Sequence, residues 1–342
     1  MVELTVRGAG IFGLSVAYAA LKQGARVRVI DPAGPGAGAS GGIVGALAPH
    51  VPENWNPKKA FQFESLCMAE GFWAEVATLS GQSPGYGRTG RLQPIADEAG
   101  IARAEARALS AAELWQGRFR WEVRDEAPEW APVSPTGKWI FDDLTARMRP
   151  RGAVAALVGA IEVLGGEVAK AGPYEGRVVW ATGAAGLVDL SARVGKNVGG
   201  AVKGQSALLA YEACDLPQLF ADGVHIVPHE DGTVAVGSTS EREFDTADGV
   251  DALLDDVLEK CVQVCPQLAG AEVIERWAGL RPRARSRAPM LGAWPDKPGH
   301  FIANGGFKIG FGMAPLVGQV MADLALNGTD AIPDGFRVED NL

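Results

Sequence analysis

Three glycines and one carboxylate carry the first chemistry that can be read from this chain. Gly8, Gly10 and Gly13 fall in the order G-x-G-x-x-G, and Asp31 follows roughly 20 residues later. Gly8 permits a sharp turn, Gly10 leaves its backbone open to a pyrophosphate, and Gly13 lets a helix pack close to a sheet. A helix that begins at this turn aims free N–H groups and the positive end of its dipole at phosphate. Asp31 can accept hydrogen bonds from a ribose 2′-OH, and its charge repels a 2′-phosphate, which disfavours NADP. The pattern fits NAD and FAD equally well.

The elements that hold these residues follow from the hydrophobic pattern. Val2, Leu4 and Val6 alternate with polar residues and predict a strand; Ile11 to Lys22 predicts a helix, and Arg26 to Ile30 a second strand. Pro32 to Gly42 is too rich in Gly and Pro for either. Lys58 to Leu79 and Ile101 to Leu114 read as helices, as do Trp139 to Leu164 and the acidic stretch Val250 to Val264. Val224 to Thr239 reads as a hairpin turning at Asp231-Gly232. A strand from Phe301 leads through Gly305-Gly306 to a helix expected from about Ala314. Trp115, Trp121 and Trp130 are read as packing residues.

The 342 residues are enough for two well-buried domains. Lys and Arg number 32 against 41 Asp and Glu, a net charge of −9, which argues against a nucleic-acid footprint. Of the four cysteines, Cys67, Cys214, Cys261 and Cys265, the last two sit one helical turn apart and read as core residues. With only four histidines in the chain, no metal site is expected. The start on a strand, without a basic leader, and the absence of a disulfide framework predict a cytoplasmic protein with no membrane span. The composition is open to a homo-oligomer.

Longer motifs carry a resemblance. Ala39-Ser40 after the acid, then Gly45-Ala46, resemble the flavin-contacting loop of the D-amino-acid oxidase superfamily of FAD enzymes. Its glycine oxidase and sarcosine oxidase branches come closest. Ala181-Thr182-Gly183 ends a strand as in flavoproteins with two dinucleotide-fold motifs. Trp277-Ala278-Gly279-Leu280-Arg281-Pro282 matches the family's Trp-x-Gly-x-Arg-Pro strand, and Gly306-Phe307-Lys308-Ile309-Gly310 matches its closing turn. The resemblance implies an α/β fold, α+β overall: a Rossmann-like FAD-binding domain (1–84, 139–203 and 275–342) interleaved with a substrate domain (85–138 and 204–274). The latter carries a large, mostly antiparallel sheet.

It also implies non-covalent FAD. No histidine directly follows Ser40 and no cysteine lies beyond Cys265, the places where relatives attach it. Ile11, Phe12 and Pro32 join the glycines, Asp31 and the motifs above as cofactor contacts, and Val168 presents its backbone to the adenine. Arg281 holds a substrate carboxylate. The implied reaction oxidises the C–N bond of an amino acid or N-substituted amino acid. A hydride passes to flavin N5, the imine hydrolyses, and O2 reoxidises the flavin to give H2O2.

Departures surround the pocket. His225 stands where glycine oxidases carry a hairpin tyrosine, and Lys308 where an arginine is common. His50 lies just past the flavin loop. These differences predict glycine and sarcosine to be poor substrates beside a larger or secondary amino acid. The alternatives are a dehydrogenase with another electron acceptor, a stand-alone relative of the flavoenzyme that trims a carboxymethylaminomethyl group on a tRNA wobble base, and a non-catalytic flavin-binding regulator.

Overall fold

Strands Leu4–Arg7 and Val27–Ile30 pair in parallel and are joined by the helix Ile11–Lys22, as the opening motif predicts. The computed structural model describes residues 1–342. Nearly every residue of that helix is buried, so it is packed on all sides rather than amphipathic. Helix Gly310–Asn327 crosses it closely: a Cβ on Gly318 would lie 2.6 Å from the Ser15 carbonyl oxygen. Helices Pro57–Ser80 and Pro150–Val163 complete this layer, and all four helices share one apolar core.

Their sheet has six strands in the order Met290–Ala293, His300–Asn304, Arg177–Trp180, Leu4–Arg7, Val27–Ile30, Glu167–Ala169. All neighbours are parallel except the edge strand Met290–Ala293. Such a sheet presents the carboxyl ends of its strands to a ligand.

The second sheet has eight strands: Glu272–Ala284, Gly199–Ala210, Thr233–Gly237, Val224–Pro228, Gln218–Ala221, Arg91–Pro94, Trp139–Asp142 and Trp121–Arg124. It is antiparallel except where Gln218–Ala221 meets Arg91–Pro94. Helix Ala252–Val264 covers one face with Leu254, Val257 and Cys261. The expected large, mostly antiparallel sheet is present.

Two expectations need correction. Trp139–Asp142 is a strand of the large sheet and not the start of a helix; the helix begins only at Pro150. The strands Gly199–Ala210 and Glu272–Ala284 each run unbroken through the large sheet. The last helix starts at Gly310, ahead of the expected Ala314, and carries Pro315 inside it. A proline is most at home in the first turn, which is why the sequence points to the later start.

Candidate functional site

The G-x-G-x-x-G turn is built by steric exclusion. Gly8 has φ +109°, and a Cβ there would overlap the Ala181 carbonyl oxygen; a Cβ on Gly13 would overlap the Gly8 carbonyl oxygen. At Gly10 a Cβ would meet only Ser40 Oγ, at 3.2 Å, so this backbone faces open space. The helix that follows has no cap from its own N-cap residue. Instead Ser40 Oγ accepts from Ile11 N at 2.9 Å, which leaves the hydroxyl proton free to donate. Asp31 accepts from Ala9 N at 2.8 Å and from Ala33 N at 3.1 Å, fixing the loop from Pro32. Each oxygen keeps a lone pair for a further donor. A cavity of about 630 Å³ borders Ser40 between loop 33–41 and helix Pro150–Val163.

The closing turn lies against the first. Gly306 has no side chain because Phe12 occupies that place: a Cβ would lie 2.8 Å from the Phe12 ring. Ile11 lies beside Gly310 in the same way, at 3.6 Å. Asn304 is buried and donates to the Gly183 carbonyl at 2.9 Å, tying Ala181-Thr182-Gly183 to this turn. Helix Gly310–Asn327 also begins without a side-chain cap, at Ile309. Two helix N-termini thus sit side by side at the carboxyl end of the parallel sheet, the first capped only by Ser40 at Ile11 N and the second by no side chain. Val168 lies on the far edge strand, paired with Val29. Gly45 is required for a different reason than ligand approach: a Cβ would overlap the Met148 carbonyl oxygen, while Ala46 pairs with Arg147.

Arg281 lies on Glu272–Ala284, the edge strand of the large sheet, which bridges to the closing turn through Arg283 and Gly306. Its guanidinium lies flat over Gly204, where any Cβ would overlap it. Nη1 donates to the Thr239 carbonyl at 3.1 Å and Nη2 to Ser238 Oγ at 2.7 Å. No carboxylate pairs with it. Burial pushes its pKa down to about 10, against the pull of Glu241, so it is charged at neutral pH. Glu241 is engaged elsewhere, with the buried Lys203 at 3.7 Å and Gln205 Nε2 at 3.1 Å. Gly204, Ser238 and Thr239 were not candidates from the sequence; their part emerges only once the fold brings them against the Arg281 guanidinium.

His225 faces the same region. It pairs with Gly237, the neighbour of Ser238, and packs against Phe220 with ring centroids 4.5 Å apart and planes tilted by 37°. Its Nδ1 is buried without a hydrogen-bond partner. Burial, then the charges of Arg91, Lys308 and Arg281, push its pKa down to about 3. It is a neutral imidazole at physiological pH. Arg91 spends its charge on the buried Asp142, at 3.0 Å. Lys308 leaves the closing turn with its ammonium 5.9 Å from the Phe307 ring centroid; burial and Arg281 lower its pKa. His50 belongs to another group: its ring contacts Gln62, and Lys58 and Lys59 are its charged neighbours.

The buried histidines make a pH prediction. Burial also pushes His229 down to about 4. An unfolded chain takes up both protons near pH 6.5, whereas the folded protein takes them up only near 4 and 3. Their contribution to stability is complete above about pH 6.5 and is lost as pH falls through the folded values. Wild-type Tm should therefore fall from pH 7 to pH 4 more steeply than that of the His225→Gln, His229→Gln double variant. Parallel curves would remove these histidines as the cause.

Two glycine-lined turns and two helix N-termini side by side at one sheet end define a dinucleotide-binding scaffold. The chain belongs to the DAO family of FAD dependent oxidoreductases, whose sequence profile matches residues 3–324. The glycine oxidase of Geobacillus kaustophilus is 23% identical over 94% of this chain and 92% of its own. Its crystal structure superposes with a TM-score of 0.84 at 22% identity, covering 98% of both chains. The Pseudomonas putida glycine oxidase is 36% identical over 39% of this chain and 36% of its own. Among solved structures, an iminodiacetate oxidase from Chelativorans sp. has a TM-score of 0.84 at 23% identity, covering 98% of both chains.

FAD is the cofactor of this family, and the residues present fit it. The open backbone at Gly10, the free Ser40 hydroxyl proton and the uncapped start of helix Gly310–Asn327 offer donors of the kind a pyrophosphate uses. No helix is long and apolar enough to cross a membrane.

Proposed function

We propose that the chain oxidises the C–N bond of an amino acid or N-substituted amino acid, as the names of the glycine oxidase relatives suggest. One observation carries this reading: a charged, largely buried Arg281 with hydrogen bonds but no acid, between the substrate sheet and the cofactor turns. A guanidinium so placed forks onto a carboxylate.

Bound FAD supplies the two-electron acceptor for the hydride. The chain's own residues supply position and charge. Gly204 lets the guanidinium lie flat against the sheet, and Ser238 and Thr239 fix its rotation. Neutral His225, with its unpartnered Nδ1, can accept a hydrogen bond from the substrate amine. The charges of Arg281 and Lys308, neither paired with an acid, favour the unprotonated amine, whose lone pair the reaction needs. The N–H groups of Ile309 and Gly310 favour negative charge in front of them.

The test is a panel of amino acids and amines added without oxygen and read by bleaching of the flavin. Amino acids should bleach it, and amines lacking the carboxylate should do so far more slowly. O2 is the proposed acceptor: peroxide should then form on admitting air, and its absence would favour a dehydrogenase. If nothing in the panel bleaches the flavin, the amino-acid reading fails.

A further inference from the structure

The charge around Arg281 runs against the charge of the molecule. The chain carries a net −9, and most of its surface arginines are paired with acids. Lys58, Arg242, Arg281, Arg283, Arg287 and Lys308 form no ion pair. They are linked pairwise: Arg283 and Lys308 lie against one aromatic ring, Arg283 has Arg287 and Arg242 as charged neighbours, Lys58 has Arg287 and Arg283, and Lys308 has Arg281. Arg283 bridges to Gly306 across the closing turn, and its guanidinium lies 5.4 Å from the Phe307 ring centroid. The Lys308 ammonium lies 5.9 Å from the same centroid. Lys58 Nζ donates to the Arg287 carbonyl.

Phe307 is built to hold two of these cations. It has φ +45°, uncommon for a side chain of its size, and its N–H donates to the Pro282 carbonyl at 2.9 Å. That bond sets the ring beside the residue that follows Arg281. One aromatic ring thus bears both Arg283 and Lys308, while Arg281 lies two residues from Arg283 on the strand. The cations are also felt mutually: besides burial, Arg287 and Arg242 lower the pKa of Arg283, Arg287 and Arg283 that of Lys58, and Arg281 that of Lys308. Glu241, the acid whose charge acts on Arg281, is held by Lys203 and Gln205. Like charges kept together without a counter-ion mark a place where an anion binds.

One α-carboxylate occupies Arg281 and leaves the others unmatched. We propose that the substrate is a dicarboxylic amino compound, an acidic amino acid or an N-carboxyalkyl amino acid. Arg281 takes the α-carboxylate, and Lys308 with Arg283 takes the second. Arg242, Arg287 and Lys58 extend the positive field and steer the substrate in. This inference rests on the amino-acid reading above and makes Lys308 and Arg283 specificity residues.

The experiment uses the FAD-bound enzyme and matched pairs that differ in the second carboxylate: glutamate with glutamine, aspartate with asparagine, both enantiomers of each, and N-(2-carboxyethyl)glycine with N-propylglycine. Anaerobic flavin reduction gives kcat/KM for each. The best dicarboxylate should exceed its partner by about tenfold or more at low salt, an advantage that shrinks as salt rises. Lys308→Met and Arg283→Met should each lower that ratio several-fold. Glutarate should perturb the flavin spectrum at lower concentration than butyrate, and the same variants should narrow that gap.

A ratio near one for every pair in the wild type overturns the proposal, as does a ratio the two variants leave unchanged. Loss of bound FAD in both variants, with the ratio kept, would assign these cations to the cofactor instead. If monocarboxylic amino acids reduce the flavin and dicarboxylates gain nothing, only this inference fails. If no amino compound reduces the flavin while glutarate still outcompetes butyrate, the amino-acid reading fails and the two-carboxylate site stands.

Discussion

Arg281→Ala is expected to lower kcat/KM for amino-acid substrates by roughly thirtyfold to several thousandfold, while the protein still purifies with FAD. The range corresponds to about 2–5 kcal/mol, the usual result of truncating one partner of a buried charged pair. Wild-type Arg281 is held in advance: Ser238 and Thr239 fix it from one side and the bare backbone of Gly204 supports it from below. Little ordering cost remains when a carboxylate arrives. Arg281→Lys keeps the charge but not the fork, so it should recover only part of the loss.

The sharper comparison pairs an amino acid with the amine lacking its carboxylate. The wild type should prefer the acid strongly, and Arg281→Ala should lose that preference because it acts on one group of the ligand only. Gly204→Ala tests the positioning. The added methyl would occupy the guanidinium's place, so the preference should drop with Arg281 still present. FAD content in all three variants guards against a general loss of structure. An Arg281→Ala enzyme that kept the wild-type preference for the acid would sink the anchoring role, and with it the main support for the amino-acid reading.

What the sequence made legible was local. The Gly8–Gly13 turn, Asp31 and the hairpin at Asp231-Gly232 are each specified by residues close together in the chain. Trp139–Asp142 was not legible in this way. Four residues are too few for a period to stand out beside the helix that follows, and the strand exists only because Arg91–Pro94 and Trp121–Arg124 flank it. Gly204 illustrates the same limit at the site. As a sequence letter it is one glycine in a chain with 45 of them. It becomes meaningful when the register sets Gly204 against Gly279 and Val202 against Arg281. Ser40 was legible as a loop residue, but its hydrogen bond to the first helix spans sequence that no local pattern connects. The cation cluster was hidden for a further reason: net charge and spacing describe a chain, whereas an unpaired charge is a property of packing.

Gly10→Val is expected to abolish FAD retention while the apoprotein stays nearly as stable as wild type; Gly8→Ala and Gly13→Ala should do the reverse first. The distinction follows from where each new Cβ lands. At Gly8 it meets the Ala181 carbonyl in a backbone with φ +109°, and at Gly13 it meets the Gly8 carbonyl. Both are backbone atoms that cannot rotate aside. Overpacking of this kind costs about 1–3 kcal/mol and persists with no cofactor present. At Gly10 the nearest atom is a rotatable hydroxyl oxygen at 3.2 Å, and φ is −82°, which any residue adopts. The apoprotein can accept a side chain there, but a pyrophosphate seated on that backbone cannot. The measurement is Tm with and without added FAD. Wild type should gain stability from FAD, by about 2.7 kcal/mol at a hundredfold excess over Kd. Gly10→Val should start from the wild-type apoprotein Tm and gain almost nothing. Gly8→Ala and Gly13→Ala should start lower by several degrees. A Gly10→Val protein that purifies yellow with a full complement of FAD would mean that the cofactor phosphates do not lie over Gly10, and the placement of the whole site on the first turn would have to be given up.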